Sequence, residues 1–325
     1  MAGPDTSSDI AAPPRPEFLK LGELYAQEIG PWLESQEGRR RKARLLRWLI
    51  IGGGFAGLAL FVYLVAISDW GEGWFVAAFF AAFAIVVAGN VPLMNLAADV
   101  KNEVMGKLAA HFGFTYDPKP ASSDLPKFDD LGLMPTHSSA SFEDGLCGGI
   151  KGVPFQMTEA HLTKRTGTGK SKKTVTVFRG LLLSVPSGRP ADERAALCSR
   201  DAEAQLDADT LSAIGVGDPG FDAAFKVHVS DRETTRRLFD SRARQAVQKL
   251  AARSDVENLR VGFIEGDLIV AIGRGSDSFE VTGLGQRLAN PGRVQAMVEQ
   301  FAILFDVVDE FGLQPPAAKE AKADA

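Results

Sequence analysis

The chain has 325 residues, with 36 Lys and Arg against 41 Asp and Glu, for a formal charge of −5. That balance excludes a globally basic nucleic-acid binder, and 45% apolar with 24% charged residues excludes a chain disordered throughout. Two cysteines, Cys147 and Cys198, exclude a disulfide-dense scaffold and a four-cysteine zinc module.

Residues 1–16 form a Pro/Ser/Ala-rich tail with nothing to bury and are expected to be disordered. Residues 17–44 read as a cytosolic amphipathic and basic helical segment. Phe18, Leu21, Leu24, Tyr25 and Leu33 recur at helical spacing, and Gly30-Pro31 is expected to interrupt the helix. Residues 45–96 read as a two-span transmembrane hairpin. Leu45–Ile67 is apolar over 23 residues with Arg47 as its only charge. As a helix it reaches roughly 34 Å, enough to cross a hydrocarbon core of about 30 Å. The string SDWGEG, residues 68–73, separates it from a second apolar run that starts at Trp74 and becomes polar near Pro92. Six basic residues between Arg39 and Arg47 flank the first span, whereas the loop carries Asp69 and Glu72 and no Lys or Arg. By the positive-inside rule both ends lie in the cytoplasm, and both cysteines are then expected to be free thiols. Gly53 and Gly57 make a G-x-x-x-G pair, read as tight hairpin packing, as dimerisation, or as ordinary glycine enrichment in a membrane helix.

Residues 97–313 are expected to fold as a cytosolic α+β domain with a mainly antiparallel sheet. A helix continues from Leu96 to about Phe112, and a Pro/Ser/Asp-rich connection follows over Asp117–Ser141. Gly152–Arg165 and Lys173–Val185 read as antiparallel strands joined by TGTGKSKK. Phe221–Val229 reads as a further strand, with Phe225, Val227 and Val229 on one face. Asp231–Ala252 reads as one long helix. Leu259–Ile264 and Asp267–Ile272 form a hairpin about Glu265-Gly266, and a final helix spans Pro291–Phe311 behind the N-cap Asn290. Residues 314–325 are a polar tail expected to be disordered.

Three strings carry a family resemblance. They are Gly152-Val153-Pro154-Phe155 with Glu159 and Leu162, then Val177-Phe178-Arg179-Gly180, then Phe225-Lys226-Val227-His228-Val229-Ser230-Asp231. With two early spans ahead of them, they make the chain similar, over about Glu17–Leu313, to the bacterial membrane proteins grouped under domain of unknown function 3137. The resemblance implies no reaction, cofactor or catalytic residue. The Ala- and acid-rich stretch Asp192–Gly220 departs from the apolar connection expected there, so the topology of residues 186–220 stays open.

Candidate chemistry is sparse. Thr166–Ser171 imitates the end of a phosphate-binding loop, but Lys164 stands where that pattern needs glycine and a strand follows where it needs a helix. The cluster Lys164, Arg165, Lys170, Lys172 and Lys173 is read as a solvated hairpin loop, with contact to anionic lipid as the alternative. His111, His137, His161 and His228 show no metal-ligand spacing. Glu159 and His161 share a strand face. Cys147 sits among flexible glycines, Cys198 sits in a helix, and Glu265 and Asp267 flank a turn. Convergence of Cys147, His161, Glu159 or Asp231 would favour an enzyme.

No catalytic, cofactor-binding or metal residue is assigned, and no cofactor is expected. The reading is a multi-pass protein of the bacterial inner membrane holding a cytosolic interaction or adaptor domain. Its expected partners are the bilayer, anionic headgroups and a protein, not nucleic acid. The alternatives are a membrane-surface enzyme or a small-molecule or lipid sensor.

Overall fold

The computed structural model describes residues 15–67, 74–168, 171–206, 210–275 and 287–315. The loop at 68–73 and the Gly169-Lys170 part of the basic loop lie outside the described residues, as do the terminal tails at 1–14 and 316–325. Two compact units result, Met1–Lys107 with Glu280–Ala296, and Leu108–Phe279 with Met297–Ala325.

In the first unit the chain enters through a 3-10 turn at Pro16–Phe18, α1 (Leu21–Leu24) and a π-turn over Tyr25–Ile29, then runs into α2 (Gly30–Ile67). The expected interruption at Gly30-Pro31 does not occur. Pro31 lacks an N–H and would collide with the carbonyl four residues back in a regular helix. The wider π-turn immediately before it absorbs that misfit, with Gly30 N–H bonding to the carbonyl of Tyr25. Phe18, Leu21, Tyr25, Ile29 and Leu33 are all buried, the helical stripe read from the sequence with Ile29 in place of Leu24. The Tyr25 hydroxyl donates to the Ala289 carbonyl at 3.0 Å, and the Glu37 carboxylate accepts from the Leu288 N–H at 2.5 Å.

The second long helix, α3 (Trp74–His111), passes through Pro92 without ending and packs antiparallel to α2. Ile85 sits on the backbone of Gly54, where an added Cβ would lie 2.6 Å from it, and Ile51 sits in the same way on Gly89 at 2.5 Å. Gly53 and Gly57, by contrast, have nothing within 4 Å of a virtual Cβ. The hairpin therefore closes through Gly54 and Gly89, and the G-x-x-x-G pair points away from it. One residue of register on a helix is about 100°, which is enough to separate Gly53 from Gly54.

The second unit is one sheet in the order β1-β2-β3-β4-β9-β8-β5-β7-β6, antiparallel at every pairing. Its strands are β1 (Thr115–Asp117), β2 (Ser139–Ile150), β3 (Val153–Thr166), β4 (Lys173–Pro186), β5 (Ala195–Ser199), β6 (Ser212–Ala213), β7 (Phe225–Val229), β8 (Asn258–Ile264) and β9 (Asp267–Gly273). The helices are α4 (Leu125–Asp130), α5 (Pro219–Ala224), α6 (Arg232–Leu238), α7 (Ser241–Ala251) and α8 (Pro291–Phe311), whose Met297–Phe311 belongs to this unit.

Both sheet faces are covered. On one, Phe114 meets Phe155 edge-on at 4.8 Å and lies parallel to Phe301 at 6.3 Å, while Phe239 meets Phe263 at 6.0 Å. On the other, Leu125, Phe128, Leu131 and Leu133 pack with Ala160, Leu182, Ile269 and Ala271. Removing these side chains from water is the main stabilising term of the domain.

Several local expectations need correction. Only Phe225–Val229 is strand; Pro219–Ala224 is a helical turn capped by the Asp218 carboxylate, which accepts from the N–H groups of Gly220 and Phe221. The long helix is two, because the chain breaks at Phe239, whose ring is buried, and Asp240 restarts it by accepting from Ala243 N–H at 2.8 Å. Cys198 lies in a strand, since pairing on both sides with β7 and β8 overrides the helical preference of its alanine-rich surroundings. Cys147 lies in β2, where a Cβ on Gly148 would come within 2.7 Å of the Phe114 ring. The glycine there makes room for an aromatic ring rather than loosening the chain. Both cysteines are free thiols, Cys147 exposed and Cys198 buried.

A direct test of the packing lies at Gly262, where a Cβ would stand 2.5 Å from Leu131 Cδ1 and 2.9 Å from Leu133 Cδ1. Gly262→Val should cost about 1–3 kcal/mol through overpacking. Thermal unfolding of the detergent-solubilised chain should show a lower midpoint, and an unchanged midpoint would show that residues 131–133 do not seat on β8.

Candidate binding cleft

β3 and β4 form a long hairpin whose outer part projects past the ends of β8 and β9. Leu162 pairs with Phe178 but Thr163 pairs with Thr176, so Val177 is an extra residue in β4. Such a bulge bends a strand and turns the neighbouring side chains. Three residues later Gly180 adopts φ +156°, and a Cβ there would collide with the carbonyl oxygen of Ile272. β4 and β9 therefore approach more closely at this point than any side chain allows.

The bend and the close approach frame a cleft of about 390 Å³. Its walls are His161, Thr176–Arg179, Glu257, Asn258 and Gly273–Gly275. His161 stands opposite Arg179 in the ladder, and its Nε2 lies 2.8 Å from the Thr176 hydroxyl. Glu159, on the same face, is 5% exposed and its Oε1 is 3.6 Å from Arg179 Nε. The glycines are required on steric grounds, because a Cβ on Gly273 would strike the Asn258 amide and one on Gly275 the Glu257 carboxylate.

Arginines dominate the wall. Arg274 is 9% exposed; its backbone N–H donates to the Arg179 carbonyl at 2.8 Å, and its Nη2 donates to Asp255 at 2.8 Å. Burial holds its guanidinium below the ordinary arginine range, against the pull of Asp255. Asp255 also accepts from Arg253 Nε at 3.0 Å, and Arg253 Nη1 donates to Asp306 at 2.7 Å. Behind the wall Arg260, 2% exposed, donates to the Asn258 side chain and to the Glu203 carbonyl at 3.1 Å, with its guanidinium 5.0 Å from the Phe178 ring centre. Burial pushes its pKa down to about 10, which leaves it charged at neutral pH.

The structure brings His161, Glu159 and Arg179 together but keeps the other candidates apart. Cys147 pairs with Gln156, five residues from His161 along β3, or about 16 Å. Asp231 follows β7, five strands from β3 or about 24 Å across the sheet. It caps α6 by accepting from the Glu233 and Thr234 N–H groups, each at 2.8 Å, and these bonds lower its pKa. Cys198 is buried, and burial raises its pKa. Asp267 pairs with Lys127 at 2.6 Å, and Glu265 sits in the turn at φ +55°. His111 stacks edge-on against Phe112, and His137 lies 3.7 Å from Asp129. Among the described residues no group of three or more His, Cys, Asp and Glu is placed to hold a metal ion. The sequence reading missed Arg274, Arg260 and Asn258. The pattern Gly273-Arg274-Gly275 at the end of an apolar strand was the one available signal.

A second, smaller cleft of about 270 Å³ lies beside β6 and β7, where His228 faces Arg200, Asp222 and Lys226. Asp222 is engaged structurally, accepting from the N–H groups of Val216 and Gly217 at 2.9 and 3.3 Å. Burial, then the charge of Lys226, holds the His228 imidazole below its ordinary pKa of 6.5. The folded state then binds fewer protons than the unfolded chain below about pH 6.5, so this contribution to stability is present above that pH and is lost as the pH falls through the depressed value. His228→Gln should flatten the acid-side fall of the melting midpoint; an unaltered slope would place the titration elsewhere.

Comparison with known proteins gives two findings. A likeness extends to the crystal structure of the mycobacterial trehalose monomycolate transport factor A, TtfA, at 14% identity and TM-score 0.37, over 62% of this chain and 95% of that one. No curated protein matches the chain. Residues 176–313 match a family described as protein of unknown function (DUF3137). The match includes Thr176–Arg179 of the cleft wall and Phe225–Asp231, and begins after Gly152–Phe155. That match makes residues 176–313 of the chain similar to the DUF3137 family.

Proposed function

We propose that the chain is a two-span integral membrane protein that holds its nine-stranded domain at the cytoplasmic face of a bacterial inner membrane as an interaction or adaptor domain. One observation carries this reading. The most apolar stretches of α2 and α3 are only 6% and 11% buried. Core helices of a water-soluble domain would be mostly buried, whereas here Trp48, Leu60, Tyr63, Phe79, Phe80 and Phe83 all turn outward. A lipid environment supplies what these side chains lack.

Charge supports the orientation. Arg39 pairs with Asp99 at 2.7 Å and Arg40 with Glu37 at 2.7 Å, which leaves Arg41, Lys42 and Arg44 exposed beside the apolar stretch. They are suited to anionic headgroups, each worth about 1 kcal/mol near such a surface. A protein partner is expected on the domain itself.

Cys147 is exposed and serves as a natural reporter. In cells expressing the chain, a membrane-impermeant maleimide should leave Cys147 unlabelled until the cells are permeabilised. Glu72→Cys in a Cys147→Ser background should label in intact cells. Labelling of Cys147 in intact cells, or release of the chain by alkaline carbonate, would overturn the reading.

A further inference from the structure

We propose that the cleft at the base of the β3–β4 hairpin binds a phosphate group, on a free small molecule or on a lipid headgroup, through Arg179 and Arg274. This goes beyond membrane anchorage and does not depend on it.

The first argument is charge. Around the cleft Arg253 and Arg274 share Asp255, Arg253 also takes Asp306, and Arg179 faces Glu159. Those three cations are matched by three carboxylates, and Glu257 at the rim is a fourth. Arg260 is the fourth cation, and its hydrogen-bond partners are an amide oxygen and a carbonyl. Asp201 and Glu203 act on Arg260 through space, but among the described residues no carboxylate bonds to its guanidinium. Asn258 and Phe178, the side chains that hold Arg260, are themselves cleft walls, so an anion in the cleft would sit one layer from that buried guanidinium.

The second argument is donor geometry. The Arg274 Nε–H is buried and has no acceptor among the described residues, while Asp255 fixes the same guanidinium through Nη2. A guanidinium anchored at one edge is pre-organised, and little rotamer freedom remains to be lost on binding. A planar carboxylate is satisfied by one guanidinium fork, whereas two guanidinium groups lining one cleft suit the several oxygens of a phosphate. The third argument is space. Gly273, Gly275 and Gly180 keep the backbone bare where the β4–β9 pairing ends, and about 390 Å³ falls within the range of small-molecule sites. Glu257, exposed at the rim, disfavours a second negative group at the mouth and so selects a ligand that is neutral beyond its phosphate.

The test uses the full chain in uncharged detergent. Inorganic phosphate exchanged for chloride at constant ionic strength should raise the melting midpoint saturably. Arg179→Gln, at a partly exposed position, should weaken the half-saturation at least tenfold, while Arg44→Gln should leave it unchanged. In a parallel arm the chain is placed in nanodiscs of phosphatidylcholine with or without phosphatidylglycerol. A shift that needs phosphatidylglycerol and is lost in Arg179→Gln assigns the site to a headgroup; a shift with inorganic phosphate alone assigns it to a free ligand. A saturable response that Arg179→Gln leaves intact overturns the proposal, as does no saturable response in either arm. A response lost in Arg44→Gln but kept in Arg179→Gln locates binding on the basic collar, overturning the cleft while sparing the anchor.

Discussion

The seam between β4 and β9 joins two otherwise separate pieces of sheet. On one side β1, β2, β3 and β4 pair with their neighbours in chain order; on the other, the pairs β8–β9 and β6–β7 are joined by β5, which lies between β8 and β7. Gly180–Pro186 pairs residue for residue with Gly273–Asp267, so every contact across the seam spans more than 80 residues of sequence. Gly180 makes the closest approach possible by presenting no side chain to the Ile272 carbonyl. The cleft lies at the end of that seam, its walls drawn from both pieces. Its geometry therefore depends on the register of a pairing that closes a long loop, which is entropically costly and slow to form.

Legibility in the sequence followed the range of the interactions. The β3–β4 and β8–β9 hairpins were readable because each has a local turn, and the Glu265-Gly266 turn has both residues at positive φ, as the sequence implied. Lys151-Gly152 makes a turn of the same kind between β2 and β3, with φ values of +52° and +82°. It escaped notice because the glycines before it suggested a flexible loop. β5 was not readable, since Ala195-Ala196-Leu197-Cys198 has no strand signature of its own and is fixed by partners 30 and 65 residues away. The helix break at Phe239-Asp240 had a visible cue in Asp240-Ser241, an N-cap placed in the middle of an otherwise helical run.

The cleft was almost invisible for a related reason. Arg179 appeared within a string chosen for its family resemblance, but Arg260 is an isolated arginine in β8 and Arg274 another just after β9. Only the antiparallel register places Arg274 beside Arg179, and only the burial of both faces turns Arg260 into an enclosed charge. Charge counting along the chain could not find them, because Arg260 and Arg274 each stand alone among apolar residues and glycines.

The two outermost strands of the sheet are the shortest among the described residues: β1 has three residues and β6 has two. A sheet edge offers unpaired backbone donors and acceptors to any similar edge, and short edges blunt that offer. Under the proposed anchorage in a bilayer, neighbouring copies would diffuse in two dimensions, which raises the frequency of edge-on encounters. Truncated borders let such a population crowd at one surface without zipping together into continuous ribbons.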